Sequence, residues 1–364
     1  MRPICFLALL FLAACTRAPQ AYVDTAIYLT PAWTRTRAND PDEERITDYN
    51  LLIFNSFGIL EEKVFLSRRQ LVPEGGEVCH RTRLLQDVPY TILAAANLGM
   101  ELPCRTLEEA LSYRYYMAYP DEFTPGMPMT AVLKDAVPGN DGRLQLPLQR
   151  LMARIDLRID RRALDNDVQF TVREVSVGGC PSSACLFSPS KAESSEQIFR
   201  QGYVKYWSQV SALNQDTTLG ISGPVSVYLL ENIQGELLEH VTTDRGKVFS
   251  DGRYQEVCSY IEIKAEYHSP SLHSRAGEYL IYRFYLGESL NDFSVRRNVL
   301  YSITVRPEKD GLQEDSWRVD SSGLEGNPRF ELHPAAYNEC RSGEDFHIWC
   351  EVEPPGFISR PEHR

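Results

Sequence analysis

Apolar and polar residues alternate with a period of two along much of the chain. The clearest case is residues 153–160 (ARIDLRID), where every apolar side chain falls on one face of an extended chain and every charge on the other. Residues 168–172 and 260–267 repeat the pattern. This alternation is typical of half-buried strands in antiparallel sheets and fits no helical template. We expect the four charged residues of 153–160 to lie on a solvated face.

One helix stands out against this background. Thr106 and Glu109 have the spacing of a capping box, and Leu107, Ala110 and Leu111 follow on one helical face. Most predicted strands are otherwise joined by turns, which favours β-sandwiches over a βαβ fold.

The sequence therefore predicts an all-β chain of two antiparallel β-sandwich domains, with one short helix in the first. The turn-rich residues 139–142 (GNDG) mark the expected division between the domains. The predicted segments are a signal peptide at 1–14, a tether and first strand at 15–45, domains at 46–142 and 143–310, and a small C-terminal extension at 311–364.

The N-terminus has the arrangement of an export signal. Arg2 precedes a short apolar run that ends in small residues, and this run is too short to span a hydrocarbon core of about 30 Å. A buried N-terminal strand is the alternative. Residues 12–15 (LAAC) resemble the bacterial lipobox, in which Cys15 becomes the lipidated N-terminus after cleavage. Two or three acyl chains anchor a protein durably. No later segment approaches eighteen consecutive apolar residues, so we expect an exported, lipid-anchored bacterial protein.

The remaining cysteines fit a compartment outside the cytoplasm. Seven are left after Cys5 and Cys15, and the close pairs Cys180/Cys185 and Cys340/Cys350 are the possible disulfides. Buried free thiols are the alternative. An odd total leaves at least one thiol free or paired between chains. A zinc site is less favoured, because no second Cys/His pair has ligand spacing.

Motifs for catalysis or cofactor binding are absent from the sequence. It contains no Gly-rich nucleotide loop, no HExxH and no GxSxG, and its seven histidines are scattered. The net charge of −12 argues against a nucleic-acid partner. We therefore expect no enzyme activity, no cofactor and no metal.

Five stretches carry a family resemblance. Residues 228–235 (YLLENIQG) and 294–305 (SVRRNVLYSITV) resemble the fimbrillin-like lipoproteins of Bacteroidota, in particular the group with the uncharacterised domain DUF4906. Residues 46–58, 90–99 and 148–157 resemble the wider superfamily, which includes anchor and minor subunits of type V pili. The resemblance spans residues 46–306 in the expected order; the tail after Pro307 lies outside it.

The resemblance implies transthyretin-like sandwiches, display at the outer membrane and strand exchange between subunits. We expect a non-catalytic anchor, minor or tip subunit of a type V pilus, or a stand-alone adhesin. Its partners would be other pilus subunits or surface proteins bound by β-augmentation, membrane lipid through acylated Cys15, and a host or glycan ligand. Arg35 and Arg37 resemble an arginine-directed processing loop, although two arginines in a polar linker also explain them.

Two other functions stay open. A glycan-binding surface lipoprotein of a nutrient-uptake system would present aromatic platforms, and a hydrolase would hold two carboxylates about 5 to 10 Å apart. The aromatic residues to inspect are Trp33, Trp207, Trp317, Trp349 and the tyrosines Tyr113, Tyr115, Tyr116 and Tyr119.

Replacing Cys15 by Ser should abolish lipid attachment, because the acyl chain is carried by the thiol. We expect the C15S protein to lose incorporation of labelled fatty acid and to leave the membrane fraction of cells. Unchanged lipid labelling and unchanged fractionation would contradict the anchor.

Overall fold

The computed structural model describes eleven stretches of the chain. They are residues 21–32, 41–73, 77–123, 126–139, 141–216, 220–241, 247–249, 252–270, 278–309, 317–320 and 349–352.

The first half of the chain forms one seven-stranded sheet that closes over its own core, plus the short strand β6. In the sheet the strands run in the order β3-β2-β5-β7-β8-β1-β4. The elements are β1 (Tyr22–Pro31), α1 (Pro41–Glu44), β2 (Tyr49–Phe54), β3 (Leu60–Leu66), β4 (Val78–Leu85), β5 (Tyr90–Ala96), α2 (Leu107–Ser112), β6 (Arg114–Tyr116), β7 (Met129–Ala136) and β8 (Arg143–Arg150).

The second half forms two sheets packed face to face. One has the order β13-β11-β15-β16-β19 and the other β14-β9-β17-β20. The elements are β9 (Met152–Ile159), β10 (Ala163–Leu164), β11 (Gln169–Gly178), β12 (Ser183–Cys185), β13 (Tyr203–Tyr206), α3 (Trp207–Val210), β14 (Val225–Leu230), α4 (Gly252–Gln255), β15 (Tyr260–His268), β16 (Glu278–Tyr285), β17 (Leu300–Arg306), β18 (Glu308–Lys309), β19 (Trp317–Asp320) and β20 (Trp349–Val352), with 3₁₀ turns at Ser195–Gln197 and Ser211–Asn214.

The two sandwiches share one strand topology. Strands β1, β2, β3, β4, β5, β7 and β8 correspond in order to β9, β11, β13, β14, β15, β16 and β17. If the seven strands of each sandwich are numbered 1 to 7 along the chain, strands 3-2-5-6 are neighbours in that order in both sandwiches. Strands 7-1-4 are likewise neighbours in both. The first and last strands pair in parallel in both, β1 with β8 and β9 with β17, whereas the other main pairs are antiparallel. The predicted all-β fold of two sandwiches is confirmed, with this parallel pair as an addition.

Alternation along the strands builds both cores. In β9 the inward residues Ala153, Ile155, Leu157 and Ile159 are fully buried in the second core. They join the inward residues of β14 and β17 in the same sheet and meet those of β11, β15 and β16 across the sandwich. Burial of one apolar face per sheet is the main stabilising term of such a fold.

The outer face of β9 differs from the expectation of a solvated surface. Asp156 is 8% exposed and Asp160 is fully buried. Asp160 accepts hydrogen bonds from Arg162 Nη2 (2.6 Å) and Arg306 Nε (2.8 Å). Burial alone would raise the pKa of Asp160, but these bonds outweigh it and hold the pKa below its ordinary value. The alternation predicted which face is apolar, but it could not show that the polar face is covered as well.

The first sheet extends beyond residue 142. Strand β8 pairs with β1 over six residues and with β7 at Met129–Arg150 and Thr130–Gln149. The division expected at 142/143 therefore falls inside the first sheet, at the turn between β7 and β8. The chain passes from one sandwich to the other at the buried Leu151.

Helix α2 begins as the sequence predicts. The Thr106 side chain accepts from the Glu109 backbone N–H at 3.1 Å, and the Glu109 carboxylate accepts from the Thr106 N–H at 3.3 Å. The helix packs through Ala110 into a third core that also contains Leu52 and Leu93 of the first sandwich and Met152 and Leu230 of the second. This third core joins the two sandwiches.

Leu157→Ala should lower the free energy of unfolding by about 2–5 kcal/mol, because it opens a cavity in the second core. The matched control is Phe57→Ala, since Phe57 is 86% exposed; we expect a change within about 0.5 kcal/mol. Urea unfolding measures both, and equal losses for the two variants would contradict this core assignment.

Candidate functional site

Two open sheet edges lie side by side in the first sandwich. Strands β7 and β8 pair only at one end and then diverge, so residues 131–136 and 143–148 each have a neighbouring strand on one side only within the described part of the chain. Pro147 lies inside β8. A proline fits an edge strand, because it has no N–H to donate.

The corresponding edges of the second sandwich are occupied. Strand β19 pairs antiparallel with β16 over Tyr279–Tyr282, and β20 pairs antiparallel with β17 over Ile303–Arg306. Both added strands come from the part of the chain after residue 310. The same two positions of the topology are thus filled in one sandwich and open in the other.

A buried arginine joins the sandwiches near these edges. Arg150, at the end of β8, is fully buried and donates from Nε to the Glu43 carbonyl (3.1 Å) and from Nη1 to the Ala32 carbonyl (3.2 Å). Nη1 also donates to Asn298 Oδ1 of the second sandwich at 3.3 Å. Burial lowers the pKa of Arg150 to about 10 against the opposing pull of Glu43 and Glu44. Arg150 therefore contacts the chain before and after residues 33–40 and the connection between β16 and β17.

Glu43 extends this network across the junction. Its Oε1 accepts from Arg154 Nη1 (2.8 Å) and from the Tyr228 hydroxyl (2.5 Å). Burial and the bond to Glu43 raise the pKa of Tyr228. Arg154 also donates to Asp156 Oδ1 at 2.8 Å. Arg154, on the outer face of β9, thus docks α1 onto the second sandwich.

The stretches that carry the family resemblance supply further buried polar anchors. Arg297 pairs with Glu231 (2.7 Å) and donates to the carbonyls of Cys185 and Leu186. Asn232 donates to the Val257 carbonyl at 2.7 Å. Asn298 has φ +58°, a conformation that asparagine tolerates better than most residues. These residues hold loops in place.

Sequence reasoning missed Arg150 and Glu43. The signal for Arg150 was present: it continues the inward phase of Leu146 and Leu148 along β8. An arginine at an inward position has to be satisfied by buried acceptors. Glu43 lies in a four-residue helix with no distinguishing pattern.

Side chains able to bind a metal are scattered over the described residues. Among them, no group of three or more His, Cys, Asp or Glu side chains is placed to hold a metal ion. His80 Nε2 lies 2.8 Å from Glu62 Oε1, and the His80 ring also contacts the Tyr49 hydroxyl. The contact between His80 and Glu62 joins the edge strands β4 and β3. The hydrogen bond from His80 lowers the pKa of Glu62.

Cys180 and Cys185 are free thiols in the structure. Cys180 is buried and its thiol contacts the Val177 carbonyl at 3.4 Å, whereas the Cys185 sulfur contacts Arg114 at 3.4 Å. The two side chains lie in different surroundings, and the possible disulfide between them is not present in the structure. Burial raises the pKa of Cys180.

The other predicted site residues are not placed. Cys15, Arg35, Arg37 and Cys340 lie outside the described residues, and for Cys350 in β20 only the backbone is described. No helix within the described ranges is long and apolar enough to cross a membrane.

Trp207 is the one tryptophan whose side chain the structure describes. Trp207 is 46% exposed, and the Arg173 guanidinium lies 4.5 Å from its ring centroid. The side chains of Trp33, Trp317 and Trp349 are not described. Tyr116 and Tyr119 are exposed, whereas Tyr113 and Tyr115 pack against the third core, so packing accounts for part of the tyrosine cluster.

Arg150→Met should lower the free energy of unfolding by about 3–5 kcal/mol, because it leaves buried acceptors of both sandwiches without a donor. Arg105→Met is the matched control at an exposed position and should cost no more than about 0.5 kcal/mol. Equal urea-unfolding curves for the two variants would show that the Arg150 contacts do not hold the junction.

One part of the chain matches a known protein family. Residues 227–305, which run from within β14 to within β17, match the family described as "Domain of unknown function (DUF4906)". No curated protein matches the chain.

Solved structures of similar architecture cover nearly the whole chain. A protein from Parabacteroides distasonis assigned to cell adhesion is 15% identical, with a TM-score of 0.51, over 93% of this chain and 98% of its own. A fimbrilin from Porphyromonas gingivalis is 11% identical, with a TM-score of 0.49, over 93% and 98%. The predicted resemblance to the DUF4906 group is confirmed for residues 227–305, which match that family, and the whole chain has a fold similar to that of the Parabacteroides distasonis protein.

Proposed function

We propose that this chain is a non-catalytic subunit of a bacterial surface fibre, serving as an anchor, minor or tip subunit or as an adhesin. It is held at the outer membrane by lipid on Cys15 and exposed at the cell surface. It joins neighbouring subunits by β-strand addition, in which a strand of one subunit completes a sheet of the next.

The observation that carries the proposal is the unequal filling of two equivalent edges. Strands β19 and β20 add to β16 and β17, while β7 and β8, at the same positions of the shared topology, stay open in the described chain. The chain therefore contains strands that add to such edges and a second pair of edges of the same kind. Unpaired edges are templates for pairing with another chain.

The fold comparison supports a role of this class. The Parabacteroides distasonis protein of the same architecture is assigned to cell adhesion. The buried polar anchors of the DUF4906 region fit a structural role, because each one is engaged with loops or with the other sandwich.

Cleavage of the chain at Arg35 or Arg37 would change how β1 is held in the first sandwich. Both lie between β1 and α1, and β1 pairs between β4 and β8. Arg150 contacts both flanks of the segment, at Ala32 and Glu43. After a cut, β1 would be held to the rest of the sandwich by its sheet pairs, by its buried side chains Ile27 and Leu29 and by Arg150, whereas in an uncut anchor subunit the chain would also join β1 to α1.

A peptide of residues 346–353 (FHIWCEVE), which contains β20, should bind the purified protein, because β8 presents the edge that corresponds to the partner of β20. Alternate N–H groups of a strand face one neighbour. Two control peptides, N-methylated at the odd or at the even residues, separate the modes of binding. We expect one control to bind like the unmodified peptide and the other to bind at least tenfold more weakly, measured by fluorescence anisotropy.

Equal binding of both methylated peptides would show recognition by side chains and contradict strand addition. Absence of binding by all three peptides would overturn the assignment of β7 and β8 as acceptor edges.

A further inference from the structure

Two aromatic side chains are exposed side by side where β13 ends on the second sandwich. Tyr206, the last residue of β13, is 61% exposed, and Trp207, the first residue of α3, is 46% exposed. The next turn is fixed to the second core by the fully buried Val210. The Tyr206 N–H donates to the Gln209 side chain at 3.2 Å. The two aromatic residues therefore lie on a segment that is held in place.

A β-bulge brings an arginine to the Trp207 ring. The pairing of β11 with β15 shifts between Val172 and Glu174, so Arg173 is the extra residue of the bulge. Bulges re-aim a side chain and occur often next to functional sites. Here the Arg173 guanidinium lies 4.5 Å from the centroid of the Trp207 ring.

The bulge is tied to the aromatic segment by its backbone. Asn214, in the 3₁₀ turn after α3, accepts from the Val172 N–H at 2.7 Å and donates to the Val172 carbonyl at 2.9 Å. Arg173 Nε donates to the Glu266 carboxylate at 2.7 Å, and Nη2 contacts the same oxygen. The guanidinium and the indole are thus positioned before any ligand arrives, which lowers the entropy lost on binding.

One face of the Trp207 ring is open. Arg173 covers a single face, and a ring covered on both faces would expose little more than its edge. At 46% exposure, the face opposite Arg173 is therefore largely accessible. Ser208 and Gln209, next along the chain, are also exposed. They offer a hydroxyl and an amide for hydrogen bonds beside the ring.

The charges at this surface favour a neutral ligand. Arg173 is paired with Glu266, so the guanidinium at the ring is neutralised by a carboxylate. The net charge of −12 on the chain disfavours acidic polymers, whether polysaccharide or nucleic acid. An uncharged ligand is not repelled by this charge.

We propose that Trp207, with Tyr206 beside it, binds a neutral polysaccharide by stacking one sugar ring on the open face of the indole. The C–H groups on one side of a sugar ring form an apolar surface that packs on an aromatic face, while the hydroxyls find polar side chains around it. The site is open, so a polymer can pass across it. The proposal gives a ligand to the adhesin role of the preceding section and does not depend on strand addition.

Affinity electrophoresis of the purified protein in gels that contain mannan, dextran or laminarin tests the proposal. Polygalacturonate is the acidic comparison. We expect at least one of the three neutral polysaccharides to retard the protein, and polygalacturonate not to retard it. Trp207→Ala should raise the apparent Kd at least tenfold, because the stacking surface is lost. Trp207→Phe keeps an aromatic face and should raise it less than fivefold.

The matched control is Tyr119→Ala. It removes an aromatic side chain that is 63% exposed between β6 and β7, and it should change the apparent Kd less than twofold. Thermal unfolding of each variant checks that the second sandwich is intact. Trp207→Phe, which retains most of the side-chain volume, keeps the comparison valid if Trp207→Ala unfolds.

Four results would overturn the proposal. They are migration unaffected by all three neutral polysaccharides, retardation by polygalacturonate as strong as by a neutral one, an equal loss of binding in Tyr119→Ala, and unchanged polysaccharide binding by Trp207→Ala. If Trp207→Ala keeps polysaccharide binding but impairs fibre assembly, this surface contacts protein instead. None of the polysaccharide results bears on peptide addition at β7 and β8, so the two proposals fail independently.

Discussion

A β-sheet ends in a strand whose outward N–H and C=O groups have no partner within the sheet, and this constraint governs the molecule. The first and second sandwiches have the same strand order, so they meet the constraint at the same places. In the second sandwich, strands from the C-terminal part of the chain satisfy two of these edges. In the first sandwich the corresponding edges diverge from each other, and among the described residues each has a neighbouring strand on one side only.

Such edges are useful only if the sheets keep their positions. The junction meets this need with buried polar contacts as well as with apolar packing. Arg150 is engaged at once by the end of β1, by α1 and by Asn298. Because each acceptor is buried, moving one element away from Arg150 leaves a polar group without a partner. The third core, shared by both sandwiches, adds apolar burial at the same junction.

The fold class could be predicted from the sequence, because the patterns that indicate it involve residues close together in the chain. Alternation in β9 and the capping box of α2 each depend on neighbours a few residues apart. Contacts between residues far apart in the sequence could not be predicted in this way. The parallel pairing of β1 with β8 joins residues more than 100 positions apart, and the coverage of Asp156 and Asp160 depends on elements far along the chain. For the same reason the domain division was set at a turn, although β8 belongs to the first sheet.

The central claim is that subunits join through the main chain at β7 and β8. Hydrogen exchange of the assembled fibre, compared with that of the isolated chain, tests it most directly. The account predicts that amides of residues 131–136 and 143–148 gain protection on assembly, while amides of the buried strands β5 and β9 change little. Protection confined to loops, with the β7 and β8 amides exchanging as fast in the fibre as in the isolated chain, would contradict it.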